Sequence, residues 1–252
     1  TKTGENTGTL ERVVIGGSAV PRAMAETFQR TYGVKVRQIW GMTETSPLGV
    51  LATPTPAIAA LGDDEMDDIL WTRQGRLQFG IELKIMSDEG VELPHDGESA
   101  GALLVRGPWV LERYFRSAET ALTADGWLDT GDISTIDAYG FMRITDRKKD
   151  VIKSGGEWIS SIDIENIAVA CPGVKVAAVA GVFHPKWEER PILLIETHDG
   201  SRLTEADMTI WLSTRLIKWW MPDRVIFGPV PLNATGKIDK KAIRLRYADV
   251  LR

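Results

Sequence analysis

The chain has 252 residues, 43% of them hydrophobic, and a net charge of −5. That length suits one large domain or two smaller ones with real cores, and the acidic balance argues against a nucleic-acid partner, which would want a basic face. No apolar run is long enough for a membrane span and no signal peptide opens the chain, so a cytoplasmic setting is expected, and the single Cys171 cannot form an internal disulfide.

The polar opening, residues 1–9, leads into a predicted strand from Arg12 to Ile15. Gly16-Gly17-Ser18 follows, and Pro21 suits the first turn of a helix. Phe28 and Tyr32 share one face of that helix and Gly33 ends it. A second strand, Val34 to Trp40, completes a βαβ pattern over residues 10–50. The Pro-rich stretch 53–58 reads as a loop. From about residue 70 to 146 short strands alternate with turn signals: Ile81 to Met86, Ala102 to Val105, then turns at Asp125-Gly126 and Tyr139-Gly140. This predicts a small β-rich subdomain. The charge run Asp146-Arg-Lys-Lys-Asp150 reads as a solvated turn or as a hinge between two compositionally different parts. Beyond it come a strand at Val151-Ile152, a helix from Ser161 to Ala170, and strands Val174 to Val182 and Pro191 to Thr197. A last helix runs from about Ala206 to Trp220, with Thr204 and Asp207 as its capping box. The expected architecture is α/β followed by a compact α+β domain.

Several segments carry chemistry. Trp40-Gly-Met-Thr-Glu-Thr-Ser46 sits where a strand leaves an α/β unit, the place such folds put ligands. Trp40 offers a flat face, Thr43 a hydroxyl for phosphate, and Glu44 a carboxylate for Mg²⁺. The bare segment serves equally well as a strand exit with a helix cap. Gly16-Gly17-Ser18-Ala19 lets the backbone approach a flat base, although alone it fits a tight turn better. Asp132, after Gly131, can accept both hydroxyls of a ribose or sit in an ordinary β-turn. Arg147 can reach the same sugar or a phosphate. Lys153-Ser-Gly-Gly-Glu157 is a flexible turn or the lining for a long flexible substrate, and Trp219-Trp220 reads as packing. In Pro231-Leu-Asn-Ala-Thr-Gly-Lys-Ile238, Lys237 is a mobile cation at the end of a glycine loop. Such a cation suits a reaction in which negative charge builds on phosphate in the transition state. His95, His184 and His198 are scattered without ligand spacing, and Cys171 reads as buried packing.

Taken in this order, the segments resemble the acyl-activating, adenylate-forming superfamily of acyl-CoA synthetases, peptide-synthetase adenylation domains and beetle luciferases. Trp40-Gly-Met-Thr-Glu-Thr-Ser-Pro47, Gly155-Gly-Glu-Trp-Ile-Ser-Ser161 and His184-Pro-Lys-Trp187 are typical of its bacterial medium- and long-chain fatty acyl-CoA ligases, a branch that also contains the methylmercaptopropionate-CoA ligases. The resemblance implies that residues 1–146 are the C-terminal part of the large AMP-binding domain and that 147–252 form a mobile lid. It implies a ligase that joins a medium- or long-chain aliphatic acid to CoA, using ATP and Mg²⁺ and releasing AMP and diphosphate. Gly16, Gly17, Ser18 and Ala19 would lie along the adenine, with Trp40 stacking near it and Gly41 and Met42 passing close by. Thr43 would contact phosphate, Glu44 would hold Mg²⁺, and Asp132 would bind the ribose hydroxyls with help from Arg147. Lys149 matches the hinge position and Gly155 the wall of the pantetheine tunnel. Lys237 would contact the carboxylate and the α-phosphate during adenylation. Lys153 and Glu157 match positions near the active site of some members.

Two departures stand out. The family's Ser/Thr/Gly-rich phosphate loop, with its lysine, belongs well upstream of Gly16, and nothing in residues 1–12 supplies it. The expectation is the C-terminal half of a ligase, with the N-terminal half as a missing partner and inactivity in isolation. Arg113 precedes Tyr114 where the wider family often has glycine. A non-catalytic nucleotide-binding fragment and an adenylation domain that loads a carrier protein stay open as alternatives. So does a homo-oligomer that pairs the exposed edge of the βαβ piece.

Overall fold

The computed structural model describes residues 8–17, 20–234 and 236–252. The chain divides into two compact units, Thr1–Ile144 and Thr145–Arg252.

In the first unit, β1 (Arg12–Ile15), α1 (Arg22–Tyr32) and β2 (Lys35–Trp40) form the expected crossover. β1 and β2 are parallel, with Ile15 opposite Gln38. Gly33 closes α1 in the left-handed region and returns its N–H to Gln29, the usual way a helix ends before a strand. β3 (Val50–Leu51), α2 (Pro56–Ala59), α3 (Asp63–Thr72) and β4 (Arg76–Leu77) follow. The strand order is β1-β2-β3-β4, so β1 lies at an edge, where Val14 is 60% exposed. The Pro-rich stretch read as a loop contains the short α2, whose Thr55 hydroxyl accepts the Ile58 N–H. Sequence reading also missed α3. Its first turn carries Asp63, Asp64 and Glu65, charges that suit the positive end of a helix.

The β-rich part is an antiparallel sheet of β5 (Glu82–Met86), β6 (Gly101–Arg106), β7 (Leu128–Ile136) and β8 (Met142–Arg147), in that order. Ile85, Leu103, Val105, Leu128 and Met142 pack with Val50 and Trp40 in one core. The two sheets of this unit are therefore joined by apolar burial. A buried amide pair adds a polar tie: Gln38 accepts from Gln74 at 3.2 Å and donates to the Trp71 carbonyl at 2.5 Å.

The second unit contains β9 (Ile152–Ser154), β10 (Glu157–Ile159), α4 (Ser161–Val169), β11 (Val174–His184), β12 (Glu188–Thr197), α5 (Glu205–Ser213), β13 (Arg224–Phe227) and α6 (Lys240–Arg246). Its sheet runs β10-β9-β12-β11, with β13 parallel to β12. Alternation along the long strands splits the core. Ala177, Val179, Leu193 and Ile195 pack with α4 and α5, while Ala178, Ala180, Ile192 and Leu194 pack with Ile243 of α6. Cys171 is buried in the first of these clusters.

The helix expected to reach Trp220 stops at Ser213. Ser213 and Thr214 turn their hydroxyls back onto the carbonyls of Ile210 and Trp211, a local competition that weakens helices. Pro222 then disfavours helical geometry at Met221, and Lys218–Trp220 form a separate 3₁₀ turn.

Candidate active site

β1 and β2 are parallel neighbours, so the segments that leave them emerge at one edge of the sheet. Gly16-Gly17 leaves β1, and Trp40-Gly41 leaves β2. A side chain at Gly16 would meet Ile39 at 2.4 Å. Ser18 and Ala19 lie outside the described residues. The Val20 N–H donates to the buried Gln38 amide oxygen at 3.4 Å.

Gly41 has no room for a side chain, because a Cβ there would sit 1.7 Å from the Pro47 carbonyl oxygen. That closeness folds residues 41–47 into a tight loop around Thr45. The Thr45 hydroxyl receives the Met42 N–H at 2.9 Å and donates toward the carbonyls of Met42 and Pro47. Thr43 is exposed and Glu44 half-buried on the 3₁₀ turn Thr43–Thr45.

Asp132 of β7 and the connection between β6 and β7 hold this loop from the other side. The Trp40 indole N–H donates to an Asp132 carboxylate oxygen at 2.9 Å. The Tyr114 hydroxyl donates to Glu44 Oε1 at 3.0 Å, and the Leu111 N–H to the Glu44 carbonyl at 2.7 Å. Ser46 bonds the Trp109 carbonyl, and the Trp109 indole bonds Leu48. Two expectations change here. Trp40 is not an open stacking face: it is 8% exposed, packed in the core, with Gly49 against its ring. Asp132 is not in a turn: it lies within β7, 6% exposed. Tyr114 was missed, its only signal being a tyrosine beside the atypical Arg113. The Glu44 carboxylate, followed by burial, holds the Tyr114 phenol proton more tightly than usual.

Among the described residues no three His, Cys, Asp or Glu side chains cluster as a metal site. Mg²⁺ is commonly held by one or two carboxylates together with substrate phosphates. Glu44, on a loop with an exposed Thr43, fits that role.

The remaining predicted residues belong to the second unit or its first strand. Arg147 and Lys149 are exposed, at the end of β8 and in the turn after it. Gly155 and Gly156 form the β9–β10 hairpin turn with φ of +57° and +84°, values a two-residue turn between twisted strands requires. The Gly155 N–H bonds the Trp187 carbonyl at 3.0 Å, and a Cβ there would meet Trp187 at 3.0 Å and Trp219 at 3.3 Å. Buried Arg190 braces this turn: it bonds Ser154, Asp223 and the carbonyls of Trp219 and Met221. Lys153 and Glu157 flank the turn and are exposed.

Lys237 is exposed on a loop closed at its base. Asn233 exchanges backbone bonds with Lys237 and Gly236, and its side chain accepts the Lys237 N–H at 3.0 Å. Asp239 then caps α6 through the Ala242 N–H. The first residue of α6, Lys240, is shielded against Glu165 (2.9 Å) and Ser161 (2.5 Å). Glu165 and nearby Asp146 are both pushed above the ordinary carboxylate range by burial, an effect Lys240 opposes.

The AMP-binding enzyme family matches residues 1–115, and the AMP-binding enzyme C-terminal domain matches residues 163–237. The 3-methylmercaptopropionyl-CoA ligase of Ruegeria lacuscaerulensis is 48% identical over 251 residues, covering 99% of this chain and 46% of that protein. The medium-chain-fatty-acid–CoA ligase of Ectopseudomonas oleovorans is 46% identical over 249 residues, 98% of this chain and 45% of that one. The crystal structure of ATP-bound MatB from Rhodopseudomonas palustris superposes with a TM-score of 0.81 at 29% identity, over 95% of this chain and 46% of that one. The chain thus spans about half the length of the relatives it matches.

Proposed function

We propose that this chain, which belongs to the AMP-binding enzymes, carries the adenosine-recognising segments and the lysine-bearing unit of an AMP-forming acid–CoA ligase. The observation that carries this reading is the Trp40–Asp132 hydrogen bond. It brings two motif segments 92 residues apart to one spot, beside the loop that bears Thr43 and Glu44.

In this reading the acid's carboxylate oxygen attacks the α-phosphorus of ATP, the bond to diphosphate breaks, and acyl-AMP forms. Thr43 contacts phosphate and Lys237 offsets the growing negative charge. Mg²⁺, held at Glu44, neutralises phosphate charge when bound. Asp132, with Arg147, holds the ribose hydroxyls, while Gly16, Gly17, Gly41 and Met42 flank the base. The chain beyond Lys149 then turns about that residue, a gating use of domain motion. The CoA sulfur attacks the acyl carbonyl, the thiol proton departs and AMP leaves, with Gly155 beside the pantetheine arm and Lys153 and Glu157 near it. The names of the two ligase relatives support a medium-length aliphatic or thioether acid.

Diphosphate release by the full-length protein, measured across acids of graded length with and without CoA, tests this. CoA-dependent turnover with AMP as product is expected, and none from the 252-residue chain alone. Diphosphate release with acyl transfer only to a carrier protein would replace CoA as the acceptor. No diphosphate release with any acid would overturn the reading.

A further inference from the structure

Lys149 sits between two carboxylates, and they face different fates if the backbone turns there. Asp150 follows Lys149 and pairs with Arg244 of α6 at 2.9 Å, so both partners lie on the same side of the pivot. Asp146 and its neighbour Thr145 precede Lys149 and bond to residues that follow it. The Ser160 hydroxyl donates to the Thr145 carbonyl at 2.5 Å. The Ser161 N–H donates to Asp146 Oδ2 at 2.7 Å. Two consecutive residues before the pivot are thus zipped to two consecutive residues after it, at the start of α4. Asp146 is 1% exposed. Lys240 closes the arrangement by bonding the Ser161 hydroxyl, with Glu165 holding its other side and accepting the Val179 N–H at 2.8 Å. Between the two carboxylates, Asp150 and Val151 return their N–H groups to the Arg147 carbonyl, both at 2.8 Å.

We propose that Thr145 and Asp146, bonded to Ser160 and Ser161, form a latch across the Lys149 pivot that holds one of the two catalytic arrangements and opens for the other. This rests on Lys149 being the pivot of a two-step ligase. The residues are positioning residues: they touch no reacting atom, and their effect is on how the enzyme divides its time between steps. A buried carboxylate that loses its backbone donor loses a charge-assisted hydrogen bond, enough to shift such a balance about tenfold.

Ser161 is the first residue of α4, where proline is tolerated, and Ser160 already has extended geometry with ψ of 115°, as a residue before proline needs. Ser161→Pro therefore removes the N–H from one side, and Asp146→Asn weakens the acceptor from the other. In the full-length protein, acyl-adenylate formation and thioester formation from supplied acyl-AMP are timed separately. The latch predicts that both variants change the ratio of the two rates about tenfold in the same sense, while Asp150→Asn leaves it within about twofold. Equal losses in both half-reactions for Ser161→Pro and Asp146→Asn, or the same ratio change in Asp150→Asn, would overturn it. Amide exchange of residues 145–162 gives a readout independent of activity. Faster exchange there in both variants, with β11 and β12 unchanged, shows that these bonds hold the segment even if no acyl-adenylate forms, and so separates a failure of the latch from a failure of the ligase reading. Unchanged exchange in both variants contradicts it.

Discussion

The loop that follows β2 and the loop that bears Lys237 are both short and glycine-containing, yet they are built in opposite ways. Residues 41–48 are held from several sides: Gly41 lies against Pro47, Thr45 bonds across the loop, Trp40 is tied to Asp132 of β7, and Glu44, Ser46 and Leu48 are tied to Tyr114 and Trp109 in the β6–β7 connection. The Lys237 loop is held at its root, by Asn233 and the Asp239 cap, and Lys237 is exposed to solvent. Under the proposed function, a segment that must recognise a fixed shape is pre-organised by packing, and a segment that must deliver a charge and then withdraw it keeps its side chain free of the core.

That contrast breaks most visibly at Gly41. Gly41→Ala puts a methyl group into the Pro47 carbonyl and is expected to cost about 3 kcal/mol or more, read by chemical denaturation, together with loss of AMP binding. Trp40→Phe keeps an aromatic ring but removes one donor from the buried Asp132. A loss of about 1–3 kcal/mol is expected, with weaker AMP binding by calorimetry. An unchanged stability would mean that this bond does not hold the loop.

Acid–base behaviour separates two carboxylates, one from each unit, by sign. Asp96 in the first unit is lowered to about 2 by the Ser99 N–H and hydroxyl and the Glu98 N–H. The stability it contributes is complete above its ordinary value of 3.8 and is lost as pH falls toward 2. Asp146 in the second unit is raised by burial, against the pull of Lys240. Its contribution is complete below 3.8 and is lost as pH rises through the raised value. Asp96→Asn should flatten the acid limb of a pH–stability curve, and Asp146→Asn the decline on the other side. Lys237→Ala, at an exposed loop position, should change stability by no more than about 0.5 kcal/mol.

Much of the fold was legible because local rules agreed: Gly33 as a left-handed cap, Thr204 with Asp207 as a capping box, Gly155-Gly156 as a hairpin turn. α3 was missed because its buried residues, Ile69, Leu70 and Trp71, crowd one end instead of recurring around a helix. α6 was missed because only Ile243 of its seven residues is buried, which leaves no period to detect. At the site the motif segments were legible but their partners were not. Trp40 with Asp132 and Glu44 with Tyr114 are joined only by the folded chain. The same holds for Asp146 with Ser161, whose spacing of 15 residues carries no local signal.

The division of labour between the two loops is tested most directly by Lys237→Ala in the full-length protein, with the two half-reactions timed separately. The account predicts a fall of about 10²–10³-fold in acyl-adenylate formation, with thioester formation from supplied acyl-AMP nearly unchanged. Equal losses in both steps, or an unimpaired first step, would contradict it.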